Sequence, residues 1–232
     1  SLGNPPGFGS EPFVSVKHVA LRVKLLPLLH GQLEVGKLQI DGMDLRLKKN
    51  AEGKGNWEEM NKKKDEPAAQ QGGNQSFKEL AGILINDSRI SYEKTTLSDL
   101  NIDIGRVAMK SPVPVKARFN LDRGDGSAPM SFSAALSATM DPDAKRYGLA
   151  GLNLSGEMHE KTDSRPIAWG FTAPSVDVDQ AAQTLKVPSF SAQYAAAQLS
   201  GAINGEKIVD DPQLHGSFKL EPLVLREFMP RI

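Results

Sequence analysis

From Met130 to Met140 the even positions read Met130, Phe132, Ala134, Leu136, Ala138 and Met140, while Ser131, Ser133, Ala135, Ser137 and Thr139 between them are small and mostly polar. Side chains alternate across an extended backbone, so this pattern fits a long strand with one dry face and fits a helix poorly. The same period of two returns at Val19, Leu21 and Val23, at Leu38 and Ile40, at Leu45 and Leu47, and at Val115, Ala117, Phe119 and Leu121. It returns again at Leu152, Leu154 and Met158, at Ile167, Trp169 and Phe171, and at Leu214, Phe218 and Leu220. At least nine strands are predicted. Between them lie turn clusters such as Asp122–Ser127, Asp141-Pro142-Asp143 and Asp210-Asp211-Pro212, short enough to imply neighbouring antiparallel strands.

The expected fold is therefore mostly β: long antiparallel amphipathic strands forming a curved sheet or groove, with a β-sandwich as the alternative and one or two short helices. The helix signals are few. Ser76 stands as an N-cap ahead of a stripe of Phe77, Leu80, Ala81 and Leu84, with Glu79 at the capping-box position. Leu25–Leu29 reads as a helical turn, and Leu225–Met229 as the start of a helix.

One composition shift divides the chain. Residues 62–75 are charged or small and polar, with no large apolar side chain, which reads as a linker or exposed loop. The expected organisation is a front β unit over 1–64, a linker over 65–76 and a back antiparallel unit over 77–232. The front unit is small for an independent core and is expected to pack on the back one or continue its sheet.

Several functions are disfavoured by composition. The 28 basic and 28 acidic residues cancel, so no global field gathers nucleic acid. Cysteine is absent, which removes thiol chemistry, disulfides and thiolate metal sites from this span. The apolar stretches Leu25–Leu29 and Ala81–Ile85 fall far below the roughly 20 residues that cross a bilayer as helix. The start at Ser1 is expected to reflect a longer parent protein.

Catalytic constellations are equally thin. His18, His30, His159 and His215 have no partner at metal-ligand spacing, and His159-Glu160 lacks the second histidine of a zinc-peptidase motif. The glycine-rich opening Gly3–Gly9 carries two prolines and no following lysine, so it cannot make a phosphate loop. Asp141 with Asp143, and Asp177 with Asp179, lack the remaining oxygen ligands of a calcium loop. Arg123-Gly124-Asp125 reads as turn chemistry, and the sequons at Asn74, Asn86 and Asn153 are short enough to arise by chance. No enzymatic activity, metal or cofactor is expected.

A family resemblance gathers these pieces. Asn4–Pro12 with its Pro5-Pro6-Gly7-Phe8-Gly9 core, Val19–Val23, Leu25–Leu29, Leu33-Glu34-Val35, Ile40-Asp41-Gly42, Leu45 and Leu47, and Gly53-Lys54-Gly55-Asn56-Trp57 together resemble the amino-terminal region of AsmA family proteins. Ile90-Ser91-Tyr92, Leu97–Asn101, Phe119-Asn120-Leu121, Gln183-Thr184-Leu185 with Val187-Pro188, and Asp210-Asp211-Pro212 resemble later blocks, so the likeness runs over nearly the whole chain.

The resemblance implies a β-rich body in the periplasm of a Gram-negative bacterium, tethered to the inner membrane by a helix upstream of Ser1. It implies phospholipid or another membrane lipid as ligand, with transport or outer-membrane biogenesis as the task. A non-lipid scaffold for outer-membrane protein assembly, through an envelope protein partner, is the alternative. The candidate lipid-groove residues are Val19, Leu21, Val23, Leu38, Ile40, Leu45, Leu47, Phe132 and Leu136. Only 6% of residues are aromatic, so the dry strand faces carry few bulky groups and can stay open as a trough.

Overall fold

The computed structural model describes residues 1–23, 33–58, 77–108, 110–160 and 163–222. They form fourteen strands: β1 Leu2–Gly3, β2 Pro12–Ser15, β3 His18–Val23, β4 Leu33–Asp41, β5 Asp44–Leu47, β6 Phe77–Tyr92 and β7 Thr95–Ile104. Then follow β8 Val113–Asp122, β9 Met130–Asp141, β10 Arg146–Glu160, β11 Asp163–Asp179, β12 Thr184–Tyr194, β13 Ala197–Glu206 and β14 Gln213–Leu220. The hydrogen-bonded order is open: β1-β2-β5-β6 and onward in sequence to β14, with β3 on β4 and β4 on β6. The fold is a mixed sheet that does not close into a barrel, and the sandwich alternative is not realised.

Contacts divide the chain into a first unit, Ser1–Ile102 with Phe119–Gly126, and a second, Asp103–Arg118 with Ser127–Ile232. In the first unit β4 and β5 both run parallel to β6, β4 along its first half (Ile40 opposite Ile85) and β5 along its second (Leu45 opposite Ile90). Here the antiparallel expectation is corrected. Parallel pairing needs a crossover of a dozen or more residues, and the chain between Leu47 and Phe77 is long enough to supply one.

The break between β4 and β5 is at Gly42, whose φ of 61° suits glycine, and an added Cβ would strike the Lys17 side chain. Lys17 itself lies in the break between β2 and β3, and Asp87 has a φ of 45° in β6. The kinks thus fall in one row across neighbouring strands. The buried Ser88 mends the ladder there, its Oγ accepting from Met43 N–H at 3.1 Å and donating to the Asn86 carbonyl at 3.0 Å.

The glycine-rich opening is fastened by Asn56, which is fully buried. Its Oδ1 accepts from Lys48 N–H at 3.0 Å, while its Nδ2 donates to the Arg46 carbonyl and to Asn4 Oδ1, both at 2.8 Å. Trp57 next to it meets Tyr92 edge-on at 5.9 Å between ring centres.

The helix expected after Ser76 is corrected: Phe77–Tyr92 is the sixteen-residue strand β6. Its short apolar run satisfies either period, and pairing with β4 and β5, together with β-branched Ile83, Ile85 and Ile90, decides for strand. Ser76, the 65–76 linker, the Leu25–Leu29 turn and the Leu225–Met229 helix lie outside the described residues. Helix is all but absent among those described.

The second unit is an antiparallel meander. Its regularity is interrupted in one line: Gly151 in β10 has a φ of 61°, Pro174 interrupts β11, and Pro188 falls at the register shift between Val187 and Phe190 in β12. A proline cannot donate to a ladder, and inside a sheet it is confined to such irregular places. Each interruption lets Leu149 and Leu152, Val176 and Ala173, or Val187 and Phe190 share a face despite odd spacing.

Candidate functional site

The register of β9–β14 sorts side chains into two contrasting faces. On one lie Phe132, Ala134, Leu136, Ala138 and Met140 of β9, with Tyr147, Leu149, Leu152 and Leu154 of β10. Trp169, Phe171, Ala173, Val176 and Val178 of β11 continue it, then Leu185, Val187, Phe190, Ala192 and Tyr194 of β12. Leu199 and Ile203 of β13, and Leu214, Phe218 and Leu220 of β14, complete it. The other face bears Ser131, Ser133, Thr139, Asn153, Ser155, Thr172, Asp177, Lys186, Gln193, Ser200, Asn204, His215 and Lys219. Among the described side chains, none on the apolar face is charged.

The centre of that face is a dry cluster of Ala173, Val187 and Phe190 with Leu152, Phe171, Val176, Leu185, Ala192, Leu199 and Ile203 packed on it. Within the second unit these side chains come from neighbouring strands of one sheet and pack on one another along its face. Phe190 is 6% exposed, whereas Phe218, at 64%, lies open on the last strand with Leu214 and Leu220. The surface is a continuous apolar floor that is dry in the middle and uncovered toward β14, the kind of patch that marks a binding surface.

Aromatic rings lie down on this floor because glycines sit beneath them. Gly156 is opposite Trp169, and an added Cβ there would come 2.8 Å from the indole Nε1. Gly201 is opposite Phe190, and Gly216 is crowded by the Phe218 ring. Phe171 and Phe190 stack at 5.6 Å, Phe190 meets Phe218 at 6.0 Å, and Phe132 meets Trp169 at 5.2 Å. Trp169 Nε1 is buried toward Gly156 with no hydrogen-bond partner.

The sequence-predicted residues of the first unit form two groups. Val19 pairs with Ile40 and Leu21 with Leu38, and Val19 and Leu21 are exposed on the outer strand β3. Val23 ends that strand opposite Val35. Leu45 and Leu47 are set apart on β5, half-buried opposite Ile90 and Tyr92. In the second unit Phe132 and Leu136 share the apolar face as expected from alternation. Sequence reading missed Phe190, Leu199 and Ile203 as site residues, since Pro188 breaks the alternation that would have revealed Phe190.

Several ions on the second unit pair with one another. Arg146 Nε binds Asp179 Oδ2 at 2.8 Å, and Lys110 Nζ lies 3.2 Å from Asp143 and 3.5 Å from Asp141. The Ala182 N–H, and after it Arg146, hold the Asp179 carboxyl below the usual aspartate range. Asp141, Arg146 and Asp179 border a shallow concavity of about 610 Å³ that also touches Asp177, Thr184 and Lys186. Among the described residues no cluster of histidine or carboxylate side chains gathers where a metal could bind, and no helix is long and apolar enough to cross a membrane.

Residues 1–113 match the AsmA family. The matched segment holds the glycine-rich opening, the Asn56 clasp and the parallel β4–β6 and β5–β6 pairs; the later blocks from Phe119 onward lie beyond the matched span. No curated protein and no solved structure matches the chain.

Proposed function

We propose that this chain is a non-enzymatic, lipid-binding part of an AsmA protein, which takes phospholipid or another membrane lipid onto the open apolar face of its sheet. The observation that carries the reading is the apolar face of β9–β14, which leaves Leu214, Phe218 and Leu220 exposed on its last strand. Such a face costs free energy in water, roughly 25 cal/mol for each Å² exposed. Acyl chains would offset that cost without asking for hydrogen bonds. AsmA membership of residues 1–113 supports an envelope and lipid setting. We place the protein in the periplasm, held to the inner membrane by an anchor outside this sequence, in lipid transport or outer-membrane biogenesis.

The test is site-specific photo-crosslinking in cells of a Gram-negative bacterium. A photoreactive residue at Leu136 or Phe218 should capture lipid, and one at Ser133 or Ser200 on the opposite face should not. Equal lipid capture from both faces, or none from either, would sink the proposal. Protein adducts confined to β14, whose residues are exposed throughout, would instead support the scaffold reading.

A further inference from the structure

We infer that the outer edge of β14 pairs with the β14 edge of a second copy of this chain, joining two sheets antiparallel about a twofold axis through Ser217. Among the described residues β14 hydrogen-bonds with β13 alone, as an eight-residue strand with no shift of register. An edge strand presents a row of unpaired N–H and C=O groups, which natural sheets blunt with prolines, bulges or charge. β14 carries no proline, no bulge and a single lysine.

The ladder itself tells which groups are free. Glu221 N–H donates to the Gln198 carbonyl at 3.0 Å, and those two residues lie in line with the β13–β14 register. Alternate residues of an antiparallel strand turn their backbone groups to opposite sides. Lys219, Ser217, His215 and Gln213 therefore bond toward β13, while Leu220, Phe218, Gly216 and Leu214 point their N–H and C=O groups away from it.

A second β14 on the Ser217 axis meets this edge residue for residue. Leu214 comes opposite the partner's Leu220, and Gly216 opposite the partner's Phe218, so the outward residues pair only with one another and each pair exchanges both N–H···O bonds. Pro212 and Pro222 stand equally far from Ser217. Moving the axis to Gly216 would set Pro212 opposite Leu220, and moving it to Phe218 would set Pro222 opposite Leu214, each losing a donor. The pairing also repeats a feature already built into the sheet. Gly156 lies opposite both Phe132 and Trp169, and Gly201 opposite both Phe190 and Phe218. The partner's Gly216 gives Phe218 the same neighbour on its open side. Leu214, Phe218 and Leu220, exposed in the single chain, would then meet their counterparts on one face. The contact uses backbone groups, so it stands or falls separately from lipid binding.

Ser217→Cys tests the register directly, since the chain has no cysteine of its own. The two thiols would face each other at a non-hydrogen-bonded pair, where Cα atoms lie about 4.5 Å apart and a disulfide fits. Under mild oxidation the S217C chain should yield a covalent dimer at least about tenfold more than H215C, whose thiols would lie about 13 Å apart along the strands. H215C mixed with K219C should recover the bond, because those positions face each other across the axis. Equal yields from S217C and H215C, or none from the mixture, would overturn the pairing. Sedimentation of the native chain should show a dimer in the micromolar range that Leu220→Pro abolishes. That proline removes only an N–H directed away from β13, so the strand and the melting temperature should hold. A native chain that stays monomeric, or a folded L220P that still dimerises, would also overturn it; should L220P fail to fold, the cysteine yields decide alone.

Discussion

Phe190 lies across Gly201, its register partner on the next strand, so closely that a Cβ on Gly201 would come within 3.0 Å of the ring and would run into the Ser217 carbonyl oxygen. The ring can lie flat only because that strand position has no side chain, the arrangement in which an aromatic residue shields a strand glycine. Gly201→Val should therefore destabilise the second unit by about 1–3 kcal/mol, although valine is the better strand former. Urea unfolding measures it. A neutral or stabilising G201V would mean that the ring does not rest there.

Asn56 joins the glycine-rich opening to the β5 region through three hydrogen bonds and is fully buried. Asn56→Ala leaves the Lys48 N–H and the Arg46 carbonyl without partners in a dry place, and a loss of about 2–4 kcal/mol is expected. Hydrogen exchange should speed up at Lys48 as the clasp opens. Asn4→Ala removes one bond of the clasp and an exposed one to the Glu11 carbonyl, and should cost less. Equal losses in the two variants would show that Asn56 is not the centre of the clasp.

How much of this was legible in the sequence depends on whether a strand keeps its parity. β9 alternates without interruption, so Phe132 and Leu136 could be placed on one face from the sequence alone. β12 does not: Pro188 inserts a shift between Val187 and Phe190, and the second half of its apolar set moves to the other parity. The same slip at Pro174 hides that Val176 belongs with Ala173. β6 failed differently, because its apolar run near Leu80 and Leu84 satisfies helix and strand periods alike, and only its parallel partners settle the matter. The Asn56 clasp was beyond reach, since it depends on Asn4 returning from far along the chain.

Leu21 gives a cheap test in the first unit. It faces solvent on β3, 55% exposed, with Leu38 opposite. Leu21→Gln should change stability by no more than about 0.5–1 kcal/mol, since little buried surface is lost. If this face also receives lipid, as the family resemblance implies, the same variant should capture less photoreactive phospholipid. A large loss of stability would show that Leu21 is sealed against protein in solution.

Asp41 should leave a mark on the acid limb of stability. Asn86 Nδ2 donates to its carboxylate at 2.7 Å and Gln39 at 2.9 Å, with His18 Nδ1 at 3.0 Å; of these, the Asn86 bond does most to hold the carboxyl below its ordinary range. A carboxyl depressed in the folded state adds stability above its unfolded pKa, and that contribution is lost as pH falls through the folded value. Asp41→Asn should be less stable than the native chain at neutral pH, with the two melting temperatures converging on acidification to about pH 3. A gap that stays constant with pH would show that these bonds do not favour the ionised form.

The last prediction uses β9 to separate stability from capture. Leu136 stands on the apolar face and is half-buried, whereas Ser133 on the same strand points the opposite way and is exposed. A carboxylate at Leu136 would sit among Leu152, Ala138 and their neighbours with no cation among the described side chains of that face to pair with, so Leu136→Asp should cost about 2–4 kcal/mol. Ser133→Asp should cost under about 1 kcal/mol, because the new charge remains in water. Leu136→Met keeps the volume and the apolar character, and it should preserve both the fold and lipid capture. The decisive variant is Leu136→Asn measured below its melting transition. If the face is a lipid track, the folded L136N protein binds fewer acyl chains than the native chain. Unchanged capture by folded L136N, alongside the expected loss of stability, would show that Leu136 serves the fold alone and that lipid, if it binds, lies nearer the uncovered edge at Phe218.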